Sequence, residues 1–177
     1  MVGNSFGASI TLGLAARRPE LFRTLCAHEP PLLSLAADDP AVTEVGEAMV
    51  PVLELIERGE VDAAARDFVE NIALGPGAWE MMSQEERASM AAHAHTFAGE
   101  QRDPAWAEVD LAALGGITFP VLLTQGDQSP AVFSKVIARL SEAIDGAEVR
   151  TVRGAGHDPH TTHPAEYLSV ISPLVAG

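Results

Sequence analysis

The stretch from Thr118 to Val152 constrains the fold of this chain more than any other, because it reads as strand, helix and strand in succession. Thr118 to Gln125 (TFPVLLTQ) and Ala147 to Val152 (AEVRTV) are short, apolar and bounded by breakers, the pattern of strands buried in a parallel sheet. Pro120 falls near the start of the first, where proline costs a sheet little. Asp145-Gly146 marks a turn before the second. Between them, Ala131 to Ile144 carries Val132, Phe133, Val136, Ile137 and Leu140 at helical spacing. Ser129 is placed as its N-cap and Pro130 as its first helical residue. Strand–helix–strand is the unit of a parallel sheet, so the chain is of the α/β class.

A third strand is expected at Arg23 to His28 (RTLCAH), ended by Pro30-Pro31. A helix from Ala8 to Arg18 precedes it, with Arg17 and Arg18 at the negative end of its dipole. A last helix is expected from Pro164 toward Ser172, kinked or stopped by Pro173. The long middle, Leu32 to Gly116, shows no strand pattern. It carries amphipathic segments at Ala41 to Arg58, kinked by Pro51, at Val61 to Leu74, at Ser83 to Ala98 and near Trp106. Ser83 with Glu86 three residues on forms a capping-box pattern, which marks the third of these starts most firmly. At 177 residues the chain suits one domain carrying such an insertion.

Charge and cysteine content narrow the function. A net charge of −14, with eleven basic residues scattered along the chain, argues against nucleic-acid binding. The single cysteine, Cys26, excludes an intrachain disulfide framework and fits a reducing compartment. No run approaches a membrane span and no signal-peptide pattern opens the chain. The expectation is a cytoplasmic protein with no membrane or nucleic-acid partner.

Gly3-Asn4-Ser5-Phe6-Gly7 matches G-x-S-x-G and runs directly into a helix. A tight strand-to-helix turn holds such a serine in a strained backbone, while the flanking glycines let neighbouring elements approach. The hydroxyl is then exposed at the helix amino terminus, where the N–H of Phe6 can face a developing oxyanion. Alone, the pattern also fits a glycine- and serine-rich loop before a helix. A second feature favours the turn: Gly154-Ala155-Gly156-His157 follows the last expected strand, with a terminal helix close behind.

This arrangement resembles the α/β-hydrolase family, whose histidine loop lies near the end of the chain and whose serine elbow comes first. Val2 to Pro31 is similar to that family's elbow, following helix and sixth strand in unbroken sequence. The resemblance implies a partial α/β-hydrolase fold with three parallel strands, the family's sixth to eighth. Residues 1–31 would supply the elbow, helix and sixth strand, 32–116 a helical lid, and 117–177 the carboxy-terminal core with the histidine loop. It also implies that Ser5 is a nucleophile and His157 its general base, with no cofactor. Serine separates the chain from the aspartate-nucleophile branches, the haloalkane dehalogenases and epoxide hydrolases.

The third member of such a triad departs from the family pattern. The usual Gly-x-x-Asp reads Gly126-Asp127-Gln128-Ser129, so the acid position carries a neutral serine. Asp127, two residues earlier on that loop, and Glu29, just after the sixth strand, can both replace it. Glu29 is preferred narrowly, because a carboxylate at the carboxyl end of a buried strand points into the crevice where α/β folds bind ligands. His157, His160 and His163 also form H-x-x-H-x-x-H, but Pro159 and Pro164 argue against one regular helix presenting all three to a metal. His93 and His95, two apart on a helix, face different directions. Trp79, Met81, Met82, Met90, Phe97 and Trp106 read as apolar lid residues.

A member of the family would place about a third of its chain before the elbow, including five strands and the loop that gives the second oxyanion N–H. The chain is therefore expected to be truncated at its amino terminus, or to be a fragment that needs a partner. If complete, the strand around Leu25 would lack its fifth-strand partner and favour self-association through an exposed edge. The expected function is a serine hydrolase of a small carboxylic ester, lactone or related acyl substrate. A carbon–carbon bond hydrolase, a cofactor-free haloperoxidase and a non-catalytic protein of the same fold are the alternatives.

Overall fold

The computed structural model describes residues 1–100, 102–103 and 105–175. In chain order the elements are β1 (Val2–Asn4), α1 (Phe6–Arg17), β2 (Leu25–His28), α2 (Pro40–Glu57), α3 (Val61–Phe68), α4 (Ala78–Met81), α5 (Gln84–His93) and α6 (His95–Glu100). There follow α7 (Leu111–Gly115), β3 (Val121–Gly126), α8 (Ala131–Ala143), β4 (Glu148–Val152), α9 (Pro159–Thr162) and α10 (Pro164–Val175). Two compact units result: Met1–Ala37 with Ala107–Gly177, and Asp38–Trp106.

The first unit contains the sheet. Among the described residues it is four-stranded, parallel throughout and ordered β1-β2-β3-β4. The three expected strands are present, and a fourth joins them. Val2, Gly3 and Asn4 pair with Cys26, Ala27 and His28, so the Leu25 strand is central and not an unpartnered edge. That expectation is corrected because three residues suffice for a full register when both neighbours run parallel.

The β2 and β3 strands are buried almost without interruption, as sheet strands covered on both faces must be. On one face Cys26, Leu122, Val152 and Ala155 pack beneath Tyr167 and Ile171 of α10. On the other, α1 and α8 lie against β2 and β3. Buried Leu12 of α1 and Val132, Val136, Ile137 and Leu140 of α8 provide the apolar stripes that this packing needs. The α8 stripe matches the sequence spacing except at Phe133, which is only partly buried. Its N-cap is Pro130 and not Ser129, without a side-chain capping bond. Helix α10 continues past Pro173 to Val175, with the bond that a Pro173 N–H would make left out of it.

The second unit is helical. Its boundaries are tighter than the 32–116 block read from sequence, because a 3-10 turn at Leu33–Ala36 and helix α7 both belong to the sheet unit. The Ser83 capping box is formed in both directions, with Ser83 Oγ accepting from the Glu86 N–H and Glu86 accepting from the Ser83 N–H. Helix α2 runs through Pro51 from an Asp39 cap. The segment at Trp106 forms a turn instead of the expected helix; the helix comes later, where Asp110 caps Ala113. An apolar cluster of Ala65, Val69, Trp79 and Ala91 holds this unit together. No helix among the described residues is long and apolar enough to cross a membrane.

Candidate functional site

The site is assembled beyond the carboxyl ends of β1, β2 and β4, each followed by one of its side chains. Ser5 follows β1 and is the N-cap of α1. Its backbone sits at φ 52° and ψ −127°, a conformation that costs a non-glycine residue about 1–3 kcal/mol. The turn is held by the Ser5 N–H donating to the His28 carbonyl (2.9 Å) and the Ser5 carbonyl accepting from Ala8 N–H (2.8 Å). Gly3 is a steric necessity here, since a Cβ would stand 2.6 Å from the Gly7 carbonyl oxygen and 2.7 Å from Ala8 Cα. The same does not hold for Gly7, where an added Cβ meets nothing within 4 Å. Of the two glycines read as making room, one does so. Phe6, whose N–H was read as an oxyanion donor, is the first residue of α1.

Glu29 follows β2 with φ 43°, again in the left-handed region, and is fully buried. Its Oε1 accepts from the Gly126 N–H at 2.6 Å, and its Oε2 faces His157 Nδ1 at 2.8 Å. Burial alone would push this carboxyl up. Bonds from His157 and Gly126, with the nearby Ser129 hydroxyl, outweigh burial and hold it below its ordinary value. Ser129 Oγ is buried beside the carboxylate and makes no hydrogen bond of standard geometry. Ser129 is thus one of the groups that lower the Glu29 carboxyl, without a hydrogen bond of standard geometry to it.

His157 joins the two. Its Nε2 lies 2.8 Å from Ser5 Oγ while Nδ1 faces Glu29, and only 11% of the side chain is exposed. An ionised carboxylate can only accept, so Nδ1 carries the proton and the Nε2 lone pair faces the serine hydroxyl. The imidazole also stacks on Phe133, with ring centroids 4.6 Å apart and planes 20° apart.

Asp127, the other candidate acid, is not brought to His157. Its Oδ1 accepts from the Gly154 N–H (2.8 Å) and from Gln128 Nε2 (3.1 Å), so it ties the β3 loop to the histidine loop. Gly126 makes the approach of these loops possible, because a Cβ there would fall 2.1 Å from the Ala155 carbonyl oxygen. His160 Nδ1 pairs with Asp158 Oδ1 at 2.9 Å, and His163 Nδ1 with Thr162 Oγ1 at 3.0 Å. Among the described residues no group of three His, Cys, Asp or Glu side chains could hold a metal ion. His93 and His95 bond to backbone carbonyls of Ser89 and Ala92 in the helical unit.

Two contributors escaped the sequence reading. Phe133 looked like part of an apolar stripe, although it sits one position from Val132 and so off the deepest line of α8. His28 looked like the last residue of a strand. Its ring is fully buried, with Nδ1 2.9 Å from Thr124 Oγ1. A titratable side chain in an otherwise apolar strand, next to a carboxylate, was the available signal.

The sequence model described as "Alpha/beta hydrolase family" matches residues 1–170. No functionally curated protein matches the chain. Among solved structures, the N-acyl homoserine lactone degrading enzyme Est816 is 21% identical with a TM-score of 0.67, and the match covers 97% of this chain and 65% of that one. An alpha/beta hydrolase from Sphaerobacter thermophilus is 22% identical at TM-score 0.70, covering 98% and 66%. A bromoperoxidase from Bacillus anthracis is 19% identical at TM-score 0.69, covering 99% and 66%. The chain thus spans just under two thirds of these relatives' length, and at such identities the likeness concerns the fold.

Proposed function

The chain belongs to the alpha/beta hydrolase family, and from that premise we propose that it is a serine hydrolase in which Ser5, His157 and Glu29 act as nucleophile, base and acid. The observation that carries the reading is His157 spanning Ser5 and Glu29 at 2.8 Å on each side. In this scheme His157 Nε2 accepts the Ser5 proton as Oγ attacks a carbonyl carbon, and the imidazolium then returns the proton to the leaving group. Glu29 fixes the tautomer and balances the imidazolium charge. The Phe6 N–H, on the residue after the nucleophile, is the oxyanion donor in this reading. Water completes the cycle by attacking the acyl-enzyme, with His157 again as base.

The substrate class that suits this chemistry is a small carboxylic ester or lactone. The lactone-degrading neighbour is consistent with that choice. Labelling by a fluorophosphonate probe tests the proposal. Adduct formation on Ser5 that vanishes in Ser5→Ala supports it, whereas a folded chain that never labels favours a non-catalytic member of the family.

A further inference from the structure

We propose that His28 is a positioning residue, a neutral buried N–H donor that holds the Glu29 carboxylate and the histidine loop in place for His157. The inference rests on the hydrolase reading, and it adds a residue to which that reading gives no role.

His28 and Glu29 are consecutive at the end of β2, and Thr124 is the register partner of His28 on β3. The His28 ring is enclosed on the α10 face, where Tyr167 meets it edge-on at a centroid distance of 5.7 Å. Its Nδ1 is 2.9 Å from Thr124 Oγ1. Its Nε2 is buried, makes no standard hydrogen bond and lies 3.7 Å from Glu29 Oε2. The Gly156 backbone, immediately before His157, acts on the same ring.

A neutral imidazole has one N–H and one lone pair, and the surroundings assign them. The Thr124 hydroxyl can donate or accept, so it tolerates either tautomer at Nδ1. The carboxylate can only accept, and a lone pair on Nε2 would repel it. The proton therefore belongs on Nε2, with Thr124 donating to Nδ1. At 3.7 Å the contact is longer than a hydrogen bond, so the N–H acts as a dipole directed at a buried charge. In a low-dielectric interior such a dipole is effective.

The ring also stays neutral while it does this. Burial, aided by His157 and His160 and opposed by the Glu29 charge and the Gly156 backbone, pushes it down to about 4. Cys26 and Tyr167, the other titratable groups beside Thr124, are both raised by burial and so remain uncharged. His28 is consequently a fixed donor and not a second base competing for the Ser5 proton.

Nitrogen NMR of the chain labelled with ¹⁵N-histidine tests the assignment directly. The expected result between about pH 5 and 8 is a neutral Nε2–H tautomer at His28 that does not titrate. An Nδ1–H tautomer, or titration at the ordinary histidine value, overturns the proposal. Two variants extend the test. In His28→Gln the side-chain amide can occupy the Nε2 position, so fluorophosphonate labelling of Ser5 should stay near the native rate. His28→Leu should slow that labelling roughly ten-fold or more, since the carboxylate loses a donor. A merely structural histidine would lower the unfolding midpoint in both variants without separating their labelling rates, and equal rates overturn the proposal. Should His28→Leu fail to fold, the tautomer decides. If the native chain never labels, the hydrolase reading fails, and the tautomer still judges His28.

Discussion

Phe133 lies almost parallel to the ring of His157, 4.6 Å away, and makes one wall of the slot in which the imidazole sits. Stacking of this kind contributes about 0.5–1.5 kcal/mol beyond burial. Phe133→Ala should therefore let the imidazole tilt away from Ser5 and slow fluorophosphonate labelling by roughly two- to ten-fold. Phe133→Tyr should retain most of the native rate. Equal labelling in the alanine variant would show that Glu29 alone orients the ring.

Glu29 and Asp127 hold different ends of the same arrangement. Glu29→Gln replaces the acceptor of the His157 Nδ1 proton with an amide that can present its NH₂, favouring the wrong tautomer. The rate should fall by about 10⁴, the scale found when a triad carboxylate becomes an amide. Asp127→Asn leaves that proton alone and weakens one bond to the Gly154 N–H, so it should cost about 1 kcal/mol of stability and little rate. Labelling kinetics alongside urea unfolding separate the two effects. A large rate loss in Asp127→Asn would reverse the assignment.

Acidification should destabilise the fold in two steps of the same sign. His28 is held down to about 4, whereas an unfolded histidine titrates near 6.5. Between those values only the unfolded chain takes up the proton, so stability rises with pH across this window and is lost as pH falls through it. The full window is worth about 3 kcal/mol. Glu29 is held below its ordinary value by hydrogen bonds, so its contribution is present above about pH 4.5 and is lost at lower pH. Urea midpoints measured against pH should show the upper step flattened in His28→Gln and extended to lower pH in Glu29→Gln, which removes the charge that opposes the His28 shift.

Among the described glycines, Gly126 is the one where an added Cβ would come nearest to another atom. Any side chain there must displace the Ala155 carbonyl, and with it the loop that carries His157. Gly126→Ala should reduce stability by about 2–4 kcal/mol and abolish Ser5 labelling even in the folded fraction. Gly7→Ala, by contrast, meets nothing and should label like the native chain. A tolerated Gly126→Ala would mean that the two loops can part without cost.

What could be read from the residues alone was whatever is written locally. The Ser5 turn and the Gly154–His157 loop are contiguous patterns, and the spacing of Val132, Val136 and Leu140 declares α8 without reference to anything else. The choice between Glu29 and Asp127 was not local. Both carboxylates directly follow a strand, and the left-handed backbone of Glu29 distinguishes the one that meets His157. Strand β1 was passed over because three residues carry no periodicity. It exists through its bonds to β2. Ser129 was misread as a helix cap, since its preference for that place gave no hint of a buried carboxylate beside it.

The left-handed backbones of Ser5 and Glu29 have a consequence for how such a chain would drift if its chemistry ceased to matter. Each position would be more comfortable as glycine, which enters this region at no steric cost. Ser5→Gly should therefore raise the unfolding midpoint while removing the hydroxyl, a gain on the order of 1 kcal/mol that calorimetry can detect. Glu29→Gly gains less, because it leaves the buried Gly126 N–H without its acceptor. Serine at position 5 is thus a handicap to the folded state, one that the proposed nucleophile role would account for.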